Sequence, residues 1–150
     1  GVVLGLMGAQ AVTQAAQAMD APGYLIEEMI PAGVELLIGV LADPAHGYVL
    51  TLGAGGVLTE LWRDTVSMLL PVTEGDVRAA FAGLRIVPRL DGYRGAAPVD
   101  MSAVVAAVLA VQGYVVAQEG RVAEVEVNPL IALPDRAVAV DALIRTGEKR

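Results

Sequence analysis

Glu124, Glu126, Asn128 and Asp141 have the types and spacing to gather oxygens around a divalent cation. The run Glu124 to Leu133 reads as a strand in which successive side chains alternate faces. Glu124, Glu126 and Asn128 then share one face, while Val125, Val127, Ile131 and Leu133 take the other. Pro134-Asp135 suits a reversal, because proline already holds the φ that such a turn needs. A two-residue turn there sets Leu133 opposite Arg136 and, counting back, Asn128 opposite Asp141. Directly opposed residues hold their Cβ atoms about 4.5–5.5 Å apart. On the return strand Val138, Val140 and Ile144 fall on the apolar face. Magnesium is typically held by one or two carboxylates together with substrate phosphates and waters, and an amide oxygen adds a ligand without charge. The alternative is an ordinary solvated strand face. Pro-Asp does not form the primed turns that two-residue hairpins prefer, and a one-residue slip would part Asn128 from Asp141.

The elements that must position these groups follow from periodicity. Ala9 to Met19 is rich in Ala and Gln and reads as a helix, with Val12, Ala15, Ala16 and Met19 at helical spacing. Asp20-Ala21-Pro22-Gly23 ends it. Tyr24 to Ile30, Val34 to Leu41 and Gly47 to Leu52 read as strands, with breaks at Pro31-Ala32-Gly33 and a turn at Asp43-Pro44. The glycine loop Gly53-Ala54-Gly55-Gly56 leads into Val57–Trp62 and Thr65–Leu70. Thr73 caps a helix over Glu74–Gly83, residues 86–98 are irregular, and Asp100 or Ser102 starts a long helix to about Gln118. Short-loop strand pairs with interspersed helices predict an α+β fold, a largely antiparallel sheet packed with helices.

Composition narrows the functions. The 150-residue chain is 55% hydrophobic but only 4% aromatic, so its core is built from Val, Leu, Ile and Ala. A net charge of −7 argues against binding a nucleic-acid backbone. With no cysteine, disulfides and thiolate chemistry are excluded. Lys149 is the only lysine, His46 the only histidine, and no Gly-Lys-Ser/Thr phosphate loop occurs, so phosphate chemistry must rest on metal, backbone amides or arginine. Met101 to Ala117 is too short for the ~20 apolar residues of a membrane span and is interrupted by Gln112, Gly113 and Tyr114. A chain that opens without methionine on Gly1-Val2-Val3 reads as a C-terminal piece of a longer polypeptide.

Other groups have plainer readings beside functional ones. Glu27 shares a strand face with Leu25 and Met29, where burial without a partner is costly; a ribose hydroxyl or exocyclic amine would satisfy it, and so would a wet edge. The glycines at 53, 55 and 56 permit a tight turn or an anion-binding nest. Arg94, between Gly92 and Gly95, can reach a phosphate or cap a carbonyl. His46 reads as a turn residue.

The stretches "GYLIEEMIPAGVELLIGVLADPAHGYVLTLGAGGVLTELWRD", "LDGYRG" and "EVEVNPLIALPDRAVAVDALI" resemble the ATP-grasp region of the ADP-forming acyl-CoA synthetases, acetate–CoA ligases related to the succinyl-CoA synthetase β subunit. The likeness runs from about Gly1 to Ile144. It implies residues 1–23 as the end of the small ATP-grasp subdomain, 24–144 as the C-terminal subdomain and 145–150 as a polar tail. It further implies that Glu27 and the backbone near Ile30 contact adenine, that Glu35 contacts the nucleotide at the ribose, and that Asn128 and Asp141 bind Mg2+. His46 stands where relatives carry an aromatic residue.

The implied function is the Mg-ATP-binding part of a cytoplasmic ligase that makes acyl-CoA, ADP and phosphate through an acyl phosphate and a phosphohistidine. No catalytic residue lies in this chain. CoA and a carboxylic acid would bind domains outside it, with no nucleic-acid or membrane partner and with oligomers possible. Alone, the chain is expected to be silent and to bind nucleotide weakly. The alternative is a regulatory or structural ATP-grasp module in an acetyltransferase-fused protein.

Overall fold

The computed structural model describes residues 1–56, 63–118 and 120–147, so the expected strand at Val57–Trp62 and the lone lysine lie outside the described residues. The chain forms two compact units, Gly1–Pro31 and Ala32–Arg150.

In the first unit, helix α1 spans Gly8–Ala18. Its expected stripe of Val12, Ala15, Ala16 and Met19 is the half-buried side. Met19 closes the last turn by donating its N–H to the Ala16 carbonyl at 3.1 Å, and the Tyr24 hydroxyl donates to the Met19 carbonyl at 2.7 Å. Residues 24–30 do not form the expected strand. A strand needs a ladder partner, and the nearest strand in sequence, which begins at Val34, already has both edges taken.

The second unit is built on strands β1 (Val34–Asp43), β2 (Gly47–Ala54), β3 (Thr65–Leu69), β4 (Val122–Ala132), β5 (Ala137–Ala139) and β6 (Ala142–Thr146). Their order is β3-β2-β1-β4-β5, with β6 also on β4, and every pairing is antiparallel. Helices α2 (Glu74–Ala82), α3 (Val87–Leu90) and α4 (Met101–Ala117) complete the described elements. This is the α+β architecture that the strand and helix pattern predicts.

Register explains the core. Met68, Leu50, Val40, Val125 and Ile144 form one row across the sheet, and Val66, Leu52, Ile38, Val127 and Ala142 form the next. The central members of both rows are buried in one apolar cluster with Val77 and Phe81 of α2 and Val104, Val108 and Val115 of α4. The odd-numbered residues of β1 (Glu35, Leu37, Gly39 and Leu41) point to the other face, where none is fully buried.

Caps start the helices where the sequence indicates. The Thr73 hydroxyl and the Asp76 carboxylate form a reciprocal capping box on α2. On α4, the Asp100 carboxylate accepts from the N–H groups of Ser102 (2.9 Å) and Ala103 (3.1 Å). Asp100 also donates its own N–H to the Leu133 carbonyl at 2.8 Å, which ties the start of the helix to the end of β4. Gln112, the polar interruption of α4, has a structural task. Its amide accepts from the Val72 N–H at 2.6 Å and donates to the Val72 carbonyl at 3.2 Å. Among the described residues no helix is long and apolar enough to cross a membrane.

Two details of the final hairpin differ from expectation. From Val125 onward the inward residues of β4 are Val125 and Val127, then Leu130 and Ala132, so Ile131 is only half-buried. The cause is a bulge: β4 passes Asn128 and Pro129 while β1 passes only Leu37. The return strand is also not an apolar wall. Val138 is half-buried, and Val140 and Ile144 are exposed, because they lie on the sheet's margin. Arg145 and Thr146, expected in a polar tail, belong to β6.

Candidate functional site

The hairpin register agrees with the count made from sequence. The Leu133 N–H donates to the Arg136 carbonyl at 2.8 Å, and Ala132, Ile131 and Leu130 pair with Ala137, Val138 and Ala139. Continuing back, the Asn128 N–H donates to the Asp141 carbonyl at 3.2 Å, and Val127 pairs with Ala142. Asn128 and Asp141 therefore oppose one another at the point where β5 gives way to β6. Asp141 is exposed and Asn128 half-buried.

The Asn128 carboxamide is held from two sides. Its Oδ1 accepts the Gly56 N–H at 3.0 Å, and its Nδ2 donates to Glu126 Oε1 at 3.2 Å. Glu126 and Asn128 thus share the outer face of the sheet, as their spacing predicts. Glu124, on the same face two residues earlier, is instead engaged by Arg145 at 3.4 Å.

Glu35 enters the same cluster through the glycine loop. The Gly55 N–H donates to the Glu35 carbonyl at 2.9 Å. A Cβ on Gly55 would lie 2.5 Å from the Leu36 carbonyl carbon, and one on Gly56 would overlap the Glu35 carboxylate. Gly56 also has φ +66°, a conformation that glycine adopts without penalty. These glycines allow β1 and the end of β2 to approach closely, and Gly56 joins Glu35 to Asn128. Sequence reasoning missed that link, because residues 56 and 128 meet only in the folded sheet.

Glu27 and Ile30 lie in the first unit. Glu27 is exposed together with Leu25 and Met29, so the expected cost of burying it does not arise. Arg94 has φ 52° and stacks its guanidinium 5.2 Å from the centre of the Tyr93 ring. His46 is a turn residue, its Nδ1 2.8 Å from Asp43 Oδ1. Hydrogen bonding, first from the His46 side chain and then from the Ala45 and His46 amides, holds the Asp43 carboxyl below the usual aspartate value.

Asp64 went unremarked in the sequence and is the buried acid of this region. Its carboxylate accepts the N–H groups of Arg85 and Ile86, each at 2.9 Å, and its carbonyl accepts from Ala54 at 3.0 Å. It ties Ala54, at the start of the glycine loop, to Arg85 and Ile86, just ahead of α3.

The oxygens present fit a hard cation. An amide oxygen has two lone pairs, so Asn128 Oδ1 keeps one after accepting from Gly56. With Asp141 it offers one neutral and one charged oxygen ligand, a short set of the kind Mg2+ completes with phosphates and water. Among the described residues no group of three or more His, Cys, Asp or Glu is arranged for a metal.

An antiparallel sheet with helices on one face and an acid–amide cluster on the other defines a class of ligand-binding α+β domain. Comparison with known proteins gives its family: residues 1–146 match the model of the ATP-grasp domain, and the chain belongs to that family. It is 35% identical over 124 residues to the ADP-forming acetate–CoA ligase II subunit beta of Pyrococcus furiosus, covering 81% of this chain and 52% of that one. It superposes with a TM-score of 0.85 and 34% identity on ACD1 of Ca. Korarchaeum cryptofilum in complex with coenzyme A, covering 96% of this chain and 67% of that chain. A second structure from that organism, acetyl-coenzyme A synthetase 1 with coenzyme A and Mg-AMPPCP, gives a TM-score of 0.73 and 36% identity over 79% of this chain and 55% of that one. The chain spans about half the length of the two Pyrococcus furiosus beta subunits it matches.

Proposed function

We propose that this chain is the Mg-ATP-binding part of an ADP-forming acid–CoA ligase, in which acid, CoA and ATP give acyl-CoA, ADP and phosphate. The observation that carries the reading is the opposition of Asn128 and Asp141 across the final hairpin, on the sheet face that the helices leave open. The relatives named as ADP-forming acetate–CoA ligases, and the one whose structure contains Mg-AMPPCP, support it.

In this reading Asn128 and Asp141 supply protein oxygens to Mg2+, while Glu35, beside Gly56, contacts the nucleotide at the ribose. Glu27 and the backbone near Ile30 contact the adenine. The metal, when bound, offsets phosphate charge during in-line transfer. The chain's own residues orient and hold the nucleotide. Residues 1–23 and 24–144 would be the end of the small subdomain and the C-terminal subdomain of the clamp. CoA and the carboxylic acid would bind outside this chain, and the parent would work in the cytoplasm, where ATP and CoA are supplied. Calorimetric titration of the full-length parent with ATP tests the reading. Binding should strengthen when Mg2+ is present; equal affinity with and without Mg2+ would reject it.

A further inference from the structure

We propose that Glu126 is a positioning residue that fixes the orientation of the Asn128 carboxamide, so that Oδ1 and not Nδ2 faces the cation. The inference rests on the Mg-ATP reading above and deepens it. An asparagine amide has two ends of similar size, one acceptor and one donor. Only the oxygen end can ligate a cation, so a half-turn about the last side-chain bond would present N–H groups to Mg2+ and repel it. Two partners select the productive end. The Gly56 N–H can pair only with the oxygen, and Glu126 Oε1 can pair only with the nitrogen. Turning the amide over would break both bonds and set like against like, donor to donor at Gly56 and acceptor to acceptor at Glu126.

The arrangement also explains why an acid stands two residues before the asparagine. Residues two apart in a strand share a face, and a bulge follows immediately at Asn128–Pro129. Glu126 therefore precedes the irregular step and sits on the regular ladder, where Gly39 of β1 and Leu143 of β6 flank it. Gly39 has no side chain to cover the carboxylate, and Glu126 is half-buried. A rigid strand position thus steadies a ligand that stands at a break in the strand.

Two substitutions separate this role from direct ligation by the carboxylate. Glu126→Gln keeps an oxygen acceptor beside Nδ2, and Glu126→Ala removes it. Partners that orient a ligand typically change metal affinity 10–100-fold when lost, so Mn2+ binding by the ATP-loaded protein, read by electron paramagnetic resonance, should weaken about tenfold in E126A and stay within about twofold of wild type in E126Q. In the metal-free protein, the Asn128 side-chain amide and the Gly56 backbone amide should both shift in nuclear magnetic resonance spectra of E126A and hold their positions in E126Q. Equal loss of Mn2+ in both variants would overturn the proposal, because charge rather than orientation would then matter. Unmoved Asn128 and Gly56 signals in E126A would overturn it too. A wild-type protein that binds no Mn2+ with ATP would instead remove the Mg-ATP reading on which it rests, a failure that the metal-free spectra distinguish.

Discussion

The two faces of the central sheet are made from the same strands yet obey different rules. On the inner face, Leu50, Val40 and Val125 stand in one row and Leu52, Ile38 and Val127 in the next, all buried against α2 and α4. On the outer face the adjoining row reads Ser67, Thr51, Gly39, Glu126 and Leu143, in which polar side chains pair with each other. The inner rows gain stability in proportion to the apolar area they remove from water. The outer row keeps oxygens and open space where a ligand can use them. Neighbouring residues on one strand are thus divided between a buried apolar row and a polar row that stays in reach of water.

Substitutions can sharpen that division. The largest effect is expected on the outer side: Asp141→Ala in the full-length parent should abolish ATP-dependent CoA thioester formation while leaving the thermal unfolding midpoint in place. Undiminished turnover would remove the metal assignment. Phe81→Ala should do the reverse. Phe81 is buried to 1% exposure at the centre of the helical layer, and its truncation should lower unfolding free energy by about 3–5 kcal/mol in urea titration. Nucleotide affinity, measured where the variant is still folded, should not change. Gln112→Leu is a smaller loss of the same kind. It leaves the N–H and carbonyl of buried Val72 without their partners, which costs about 1–3 kcal/mol by the same titration.

The smallest effect lies at the exposed β1–β2 turn, away from both faces. Asp43 has a depressed folded pKa, so its contribution to stability is present above the ordinary aspartate value and is lost as pH falls through the folded one. A carboxyl titration followed by nuclear magnetic resonance should place Asp43 below the usual aspartate range. His46→Ala should move it back up; an unmoved value would show that the two turn amides suffice.

The same contrast explains what could be read from sequence. The hairpin count from Pro134-Asp135 gave the observed pairing of Asn128 with Asp141, because turn length and side-chain alternation are local rules. Thr73 and Asp100 were legible as caps for the same reason. Three features were not. The strand expected at Tyr24–Ile30 depended on a partner that β1 could not provide. The inward turn of Leu130 in place of Ile131 depended on the bulge against Leu37. The hydrogen bond between Gly56 and Asn128 joins residues far apart in the chain, and the glycine spacing alone could not name its partner.

The bulge has a consequence for how this strand tolerates change. One supernumerary residue lets β4 present Val125 and Val127 to the interior before Asn128 and Leu130 and Ala132 after Pro129, like a zipper with a skipped tooth. Loss of a codon at 128 or 129 would close the gap with Leu130 and Ala132 still facing inward, so the core would survive a change that takes Asn128 from its place opposite Asp141.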